Sequence, residues 1–123
     1  KLNYVSPESL RMPAELVAGI NVPQRECSDL REVLSKTDVL YVTRVQKERF
    51  ADQAAYEAVR SCYVVTPELM RFARRDLTLM HPFPRVGEID PAVDSDPRAA
   101  YFRQIEYGMY VRMAVLAMVL GKA

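Results

Sequence analysis

The chain has 123 residues, half of them hydrophobic and 27% charged. That is room for one ordinary domain with a packed core, and too little for two. Its 17 basic and 16 acidic residues leave a net charge of +1, which argues against a nucleic-acid binder or a protein of anionic membrane surfaces. The longest apolar run, Met113 to Leu120, falls far short of a membrane span. The N-terminus lacks the apolar stretch of a secretory signal, and the two cysteines, Cys27 and Cys62, read as reduced thiols, so a cytoplasmic protein is expected. One histidine and two separated cysteines give no metal-binding pattern.

In chain order, Leu2 to Ser6 reads as a short strand. Pro13 is placed to open a helix over residues 13–20. Asn21 to Arg25 reads as a loop, with an extended piece at Ile20–Val22. Residues 28–37 read as a helix capped by Ser28 or Asp29, with Glu32 in capping-box relation to Asp29. The apolar run at 38–43 predicts a strand covered on both sides. Residues 52–60 predict a short amphipathic helix with Ala55, Tyr56 and Val59 on one side. A strand follows at 62–66, then a helix at 66–76 capped by Thr66 with Pro67 at its first position. Residues 77–81 predict another strand.

A loop of about fifteen residues, 82–96, carries three prolines; loops of that length inside a domain are usually functional or disordered. Asp96 and Pro97 are then placed to start a helix running to Leu120. Phe102, Ile105, Met109, Met113, Leu116 and Leu120 form its apolar stripe, which calls for a second surface. Strand–helix alternation with apolar strands implies an α/β fold, a parallel sheet flanked by helices on both faces.

Ligands of such sheets bind beyond the carboxyl ends of the strands. Two predicted strands end in polar segments, "VTRVQKERF" and "MHPFPRVGEI". If those strands are neighbours, Arg44, Gln46, Arg49, His81, Arg85 and Glu88 share one rim. Arg44 offers a planar donor fork suited to a carboxylate or phosphate, and Gln46 adds neutral hydrogen bonds from the same side. Glu48 and Glu88 are candidates to orient the guanidinium. From charge spacing alone, a solvated surface loop with salt bridges is the simpler reading. Pro82 and Pro84 stiffen the chain past the strand, which lets a carbonyl of residue 81 or 82 project as an acceptor for an amine. A cis peptide at one of these prolines is possible. His81 reads more simply as a hydrogen-bonded, half-buried residue than as a proton shuttle. No glycine-rich phosphate loop and no nucleophile elbow is present in the sequence.

Together "YVTRVQKERF" and "HPFPRVGEID…VDSDPRAAYFRQIEYGMYVRMAVLAMVLG" resemble the aspartate carbamoyltransferase family over nearly the whole chain. The strings "DSDPRAAYFRQ" and "GMYVRMA" are similar to the form within the animal multifunctional pyrimidine-synthesis protein. Ornithine carbamoyltransferases carry a Cys after the corresponding His, so Pro82 points to the aspartate enzymes. The resemblance implies a Rossmann-like aspartate-binding domain and transfer of a carbamoyl group from carbamoyl phosphate to L-aspartate, without metal or organic cofactor, in a homotrimer. It implies that Arg44 and Gln46 bind the aspartate side-chain carboxylate. The carbonyls of Pro82 and Phe83 would meet the carbamoyl group and amine. Glu48, Glu88 and Lys47 would orient Arg44 or support it. Arg49 would bridge domains on closure, and Arg85 would support an intersubunit contact. Phe83 stands where Leu or Met is more familiar, and because the family uses the backbone there, tolerance is expected.

The family's carbamoyl-phosphate domain, with its Ser-x-Arg-Thr loop, has no counterpart in the 123 residues, and neither does the first strand of the aspartate domain. Residues 1–123 therefore read as most of an aspartate-binding domain. The helix 97–120 is expected to pack on the absent domain, and the chain alone is expected to be inactive and prone to associate. No residue is assigned to the chemical step. The alternative is a non-catalytic interaction or anion-binding module built on the same fold.

Overall fold

The structure, a computed structural model, describes residues 1–60 and 62–122; of residue 49 it describes the backbone only. Among the described residues, two parallel strand pairs and five α-helices carry the fold. Strand β1 (Leu2–Val5) pairs with β2 (Gln24–Cys27), in register from Leu2 opposite Gln24 to Val5 opposite Cys27, with α1 (Ala14–Ala18) as the crossover. Strand β3 (Val39–Tyr41) pairs with β4 (Thr78–Met80). Between them the chain runs through α3 (Gln53–Arg60) and α4 (Pro67–Met70), while α2 (Arg31–Leu34) precedes β3 and α5 (Tyr101–Val119) closes the chain. This is the α/β class the alternation predicts. The sheet is two separate pairs rather than one continuous layer.

The strand at Gln24–Cys27 replaces the expected extended piece at Ile20–Val22. The ladder starts where Pro23, which has no N–H of its own, accepts a hydrogen bond from the Leu2 N–H at 2.9 Å. The sequence Gln-Arg-Glu-Cys has no apolar alternation, so its pairing leaves no trace in hydropathy. Before α2, Asp29 Oδ1 accepts from the Arg31 N–H at 2.9 Å, but the cap position is Leu30, which makes no side-chain cap bond. Glu32 does not close a capping box; its carboxylate pairs with Arg25.

The buried core is built around β4: Leu34, Val65, Met70, Leu79, Ile89 and Tyr101 all lie within it. Leu40 and Val42 of the β3 segment pack against it from one side. Val39 and Tyr41 are each 53% exposed, so β3 is covered on one face only. Alternation along the strand sends these two side chains away from the core that Leu40 faces.

The expected strand at 62–66 is reduced to a single bridge between Val65 and Ile89, made by Val65 N–H to Glu88 O and Asp90 N–H to Val65 O, both 2.9 Å. Helix α4 has Thr66 at its cap, accepting from the Leu69 N–H at 3.3 Å, with Pro67 at its first position. It is shorter than the predicted 66–76. Beyond it the Arg98 guanidinium donates to the carbonyls of Met70 at 2.9 Å and Arg74 at 3.1 Å. Those carbonyls thereby find a partner without further helix.

Helix α5 begins at Tyr101 rather than at Pro97. Residues 98–100 are committed to the free edge of β4: the Leu79 N–H donates to Arg98 O, and the Ala100 N–H donates to Leu79 O at 2.8 Å. Backbone spent on a strand edge cannot also be helical. Asp96 instead accepts from the Arg98 N–H and holds its guanidinium at 2.6 Å. The five stripe residues within α5 and Leu120 just past its end are exposed, from Ile105 at 40% to Leu120 at 70%.

Candidate functional site

Because β3 and β4 are parallel neighbours, the segments after them leave the sheet at the same rim. The Val42 N–H extends the ladder by one bond, to Met80 O at 2.9 Å. Past that point the chain turns outward through residues 43–46 into a single tight turn at Lys47–Arg49. An open cleft of about 340 Å³ lies here, lined by Arg44, Lys47, Glu48, Tyr56, Arg60 and Glu88 among others.

Arg44 is exposed, and its guanidinium reaches Glu48 Oε1 at 3.4 Å, a loose pair between two solvated side chains. Such a pair adds little stability, and it leaves most of the guanidinium's donors unused. Gln46 and Lys47 are exposed beside it, and Gln46 makes no side-chain bond to the turn it precedes. The predicted bridging residue Arg49 has its side chain outside the described residues.

Glu88 lines the cleft with Arg44 but takes other partners than expected. It is buried, with Oε1 at 2.7 Å from His81 Nε2 and Oε2 accepting from the Val86 N–H at 3.0 Å. Both oxygens are thus occupied by the loop that Glu88 belongs to, and Arg44 takes Glu48 as its partner. Arg60 is itself paired with Glu57 at 3.2 Å, which leaves Arg44 as the cleft cation with a guanidinium only loosely engaged. Its unused donors suit a carboxylate.

Tyr56 and Arg60 also line the cleft, and no motif in the sequence marks them as site residues. They sit four apart on α3, so they share the helix face that borders the cleft. That spacing was visible, but Tyr56 was assigned to the packed side.

Across the rim, Pro82 is exposed and the Phe83–Pro84 peptide is cis. The Phe83 ring packs edge-on against His81 and lies 5.6 Å from Tyr101 and 5.7 Å from Phe102. Arg85 is held inside the chain. It grips Asp94 with both guanidinium nitrogens, one at 2.6 Å, and sits 5.8 Å from the centroids of both Phe83 and Tyr101. The Tyr101 hydroxyl donates to the same Asp94 at 2.5 Å.

The Arg85 bonds, then the Tyr101 bond, hold the Asp94 carboxyl at about 2, below its ordinary 3.8. Burial, reinforced by Asp94, pushes the Tyr101 phenol to about 12 from 10.0. The signs give a pH window. A carboxyl held low in the folded state contributes stability above about pH 4 that disappears as pH falls towards 2. A phenol held high contributes stability below about pH 10 that is lost as pH rises through 12. Denaturant unfolding of the full-length protein across pH is expected to show both limbs, with Asp94→Asn flattening the acid one. An acid limb of unchanged depth in that variant would assign it to other carboxylates.

These elements define an α/β domain with an arginine-bearing cleft and a proline-stiffened loop at one strand rim. The chain belongs to the aspartate/ornithine carbamoyltransferase family: the model of that family's Asp/Orn binding domain matches residues 1–119. Multifunctional protein pyr1-3 of Dictyostelium discoideum is 52% identical over 98% of this chain and 6% of its own length. The aspartate carbamoyltransferase catalytic subunit of Thermoplasma volcanium is 49% identical over 98% of this chain and 40% of its own. Among solved structures, the catalytic subunit of M. jannaschii aspartate transcarbamoylase superposes with a TM-score of 0.86 at 40% identity, covering 98% of this chain and 41% of that one. The Trypanosoma cruzi aspartate transcarbamoylase in complex with carbamoyl phosphate and aspartate does so with a TM-score of 0.82 at 41% identity, over 94% and 40%. The chain thus spans about two-fifths of the catalytic subunits it matches.

Among the described residues, no cluster of His, Cys, Asp or Glu is arranged to hold a metal ion, and no helix is long and apolar enough to cross a membrane.

Proposed function

We propose that this chain is the aspartate-binding part of an aspartate carbamoyltransferase. That enzyme transfers the carbamoyl group of carbamoyl phosphate to the amine of L-aspartate, giving N-carbamoyl-L-aspartate and phosphate. The observation that carries the reading is the parallel pairing of β3 and β4, which sends the segment bearing the under-used donors of Arg44 and the segment bearing Pro82–Phe83 from the same rim. An anionic acceptor needs its carboxylate gripped and its amine aimed at a carbonyl carbon. Orientation and fixed electrostatics supply most of such a rate enhancement.

Arg44 and Gln46 take the side-chain carboxylate, with Glu48 steadying Arg44 and Lys47 adding positive field. The carbonyls of Pro82 and Phe83 face the amine and the carbamoyl group. Arg49 bridges to a carbamoyl-phosphate domain, carried in the same or another chain. The exposed apolar face of α5 is the surface on which that domain rests. The assembled protein is a cytoplasmic homotrimer working without cofactor.

The test is product formation. The full-length protein, given carbamoyl phosphate and L-aspartate, is expected to yield N-carbamoyl-L-aspartate, while residues 1–123 alone yield none. Absence of product from the full-length protein would overturn the reading in favour of a non-catalytic anion-binding module.

A further inference from the structure

The buried imidazole of His81 has a geometry that only one protonation pattern fits. His81 is 1% exposed, and both ring nitrogens are engaged. Nδ1 lies 2.9 Å from the Phe83 backbone nitrogen. A backbone N–H can only donate, so Nδ1 is the acceptor and carries no proton. The ring proton therefore sits on Nε2, where it is donated to Glu88 Oε1 at 2.7 Å. This tautomer is assigned from the hydrogen-bond network. Glu88 is anchored in turn by the Val86 N–H at 3.0 Å, and the His81 backbone N–H by Gln104 Oε1 at 2.8 Å.

This network controls the peptide that joins Pro82 to Phe83. That peptide is trans, the cis bond lying one residue later. In a planar trans peptide the N–H and C=O point in opposite directions. Tying the Phe83 N–H inward to His81 therefore turns the Pro82 carbonyl outward, to the side where Pro82 is exposed. Phe83 also sits at a φ of 55°, a left-handed conformation that bulky residues adopt only when the surroundings hold them there. The Nδ1 bond is one such hold, and the aromatic packing of the Phe83 ring is the other.

We infer that His81 is a positioning residue for carbamoyl transfer: its unprotonated Nδ1, held by Glu88, fixes the direction in which the Pro82 carbonyl meets the acceptor amine. The inference rests on the proposed reaction and assigns His81 no proton transfer.

Two variants of the full-length enzyme separate this role from simple core packing. His81→Asn keeps an oxygen near the Nδ1 position and loses the reach to Glu88. His81→Gln keeps a donor for Glu88 and loses the acceptor for Phe83. Expected is a fall of about 100-fold in kcat for His81→Gln, the scale of a reacting group misplaced by about an ångström. His81→Asn should stay within about fivefold of the parent. The KM for carbamoyl phosphate and the circular-dichroism melting midpoint of the two variants should match each other.

Equal kcat losses in the two variants, or a parent-like kcat in His81→Gln, would overturn the inference. So would loss of the fold in both, which would make His81 a core residue only. An inactive parent enzyme is a different outcome: it overturns the proposed reaction, and this inference with it.

Discussion

Replacing Arg44 with Ala in the full-length enzyme is expected to lower kcat/KM for aspartate by about 1,000-fold, with the KM for carbamoyl phosphate unchanged. The size follows from what the side chain offers. Among the described residues its one side-chain partner is Glu48 at 3.4 Å, an exposed and loose contact. The variant therefore loses almost nothing in the free protein, and the effect falls on the bound acceptor. A bidentate guanidinium–carboxylate contact closed off from water is worth about 4 kcal/mol when one partner is truncated, which is about three factors of ten. Arg44→Lys should recover only about one of them, because a point charge cannot reproduce the planar fork. Gln46→Ala should cost less, since it removes neutral hydrogen bonds. Steady-state kinetics with each substrate varied in turn checks all three. A change of less than about threefold in Arg44→Ala would return the polar cluster to a solvated surface loop.

The largest stability effect is expected at Tyr101. Its side chain is fully buried. It packs against Phe83 and Phe102, with ring centroids 5.6 and 4.9 Å away, and its hydroxyl holds Asp94. Tyr101→Ala empties the bed on which Phe83 and Arg85 rest and should destabilise by about 4 kcal/mol, the usual cost of deleting a buried aromatic ring. Tyr101→Phe keeps the ring and loses the hydroxyl alone. Asp94 still has the Arg85 guanidinium, so that cost should be about 1 kcal/mol. Denaturant unfolding of the full-length variants gives both values. A loss below about 1 kcal/mol in Tyr101→Ala would mean that the loop carrying Phe83 is held by something other than this aromatic cluster.

How legible the chain was depends on where each element draws its support. β3 and β4 could be read from their apolar runs; their adjacency was a condition of the shared rim, and the pairing of Val39–Tyr41 with Thr78–Met80 meets it. Thr66–Pro67 marked a helix start because cap and first-turn chemistry are local. β2 was not legible, since Gln-Arg-Glu-Cys pairs through its backbone and has no hydrophobic signature. The true start of α5 was hidden for a related reason: Asp96–Pro97 is a good local signal, but the edge of β4 claims residues 98–100 first.

In the site, the rim itself was legible from residue type, and the partners were not. Glu88 was assigned to Arg44 because both are charged and near the rim, yet it turns to His81, seven residues back. Gly87, at a φ of 128°, makes that reversal open to a residue without a side chain. Within the chain Arg85 closes on Asp94, nine residues ahead, a pairing that charge alone does not reveal. The Phe83 side chain was treated as tolerant because the family uses its backbone, yet the ring is a packing centre for His81, Arg85 and Tyr101. Pairings across a loop depend on its path in space, which composition does not encode.

The most direct test of the acceptor clamp is a crystal structure of the full-length protein with N-(phosphonacetyl)-L-aspartate bound. The expected result places the side-chain carboxylate of the aspartate moiety on the Arg44 guanidinium within hydrogen-bond distance, with Gln46 beside it and the Pro82 carbonyl turned towards the amide nitrogen. A ligand bound with its carboxylates away from Arg44, or with the Pro82 carbonyl turned inward, would contradict the assignment of this rim.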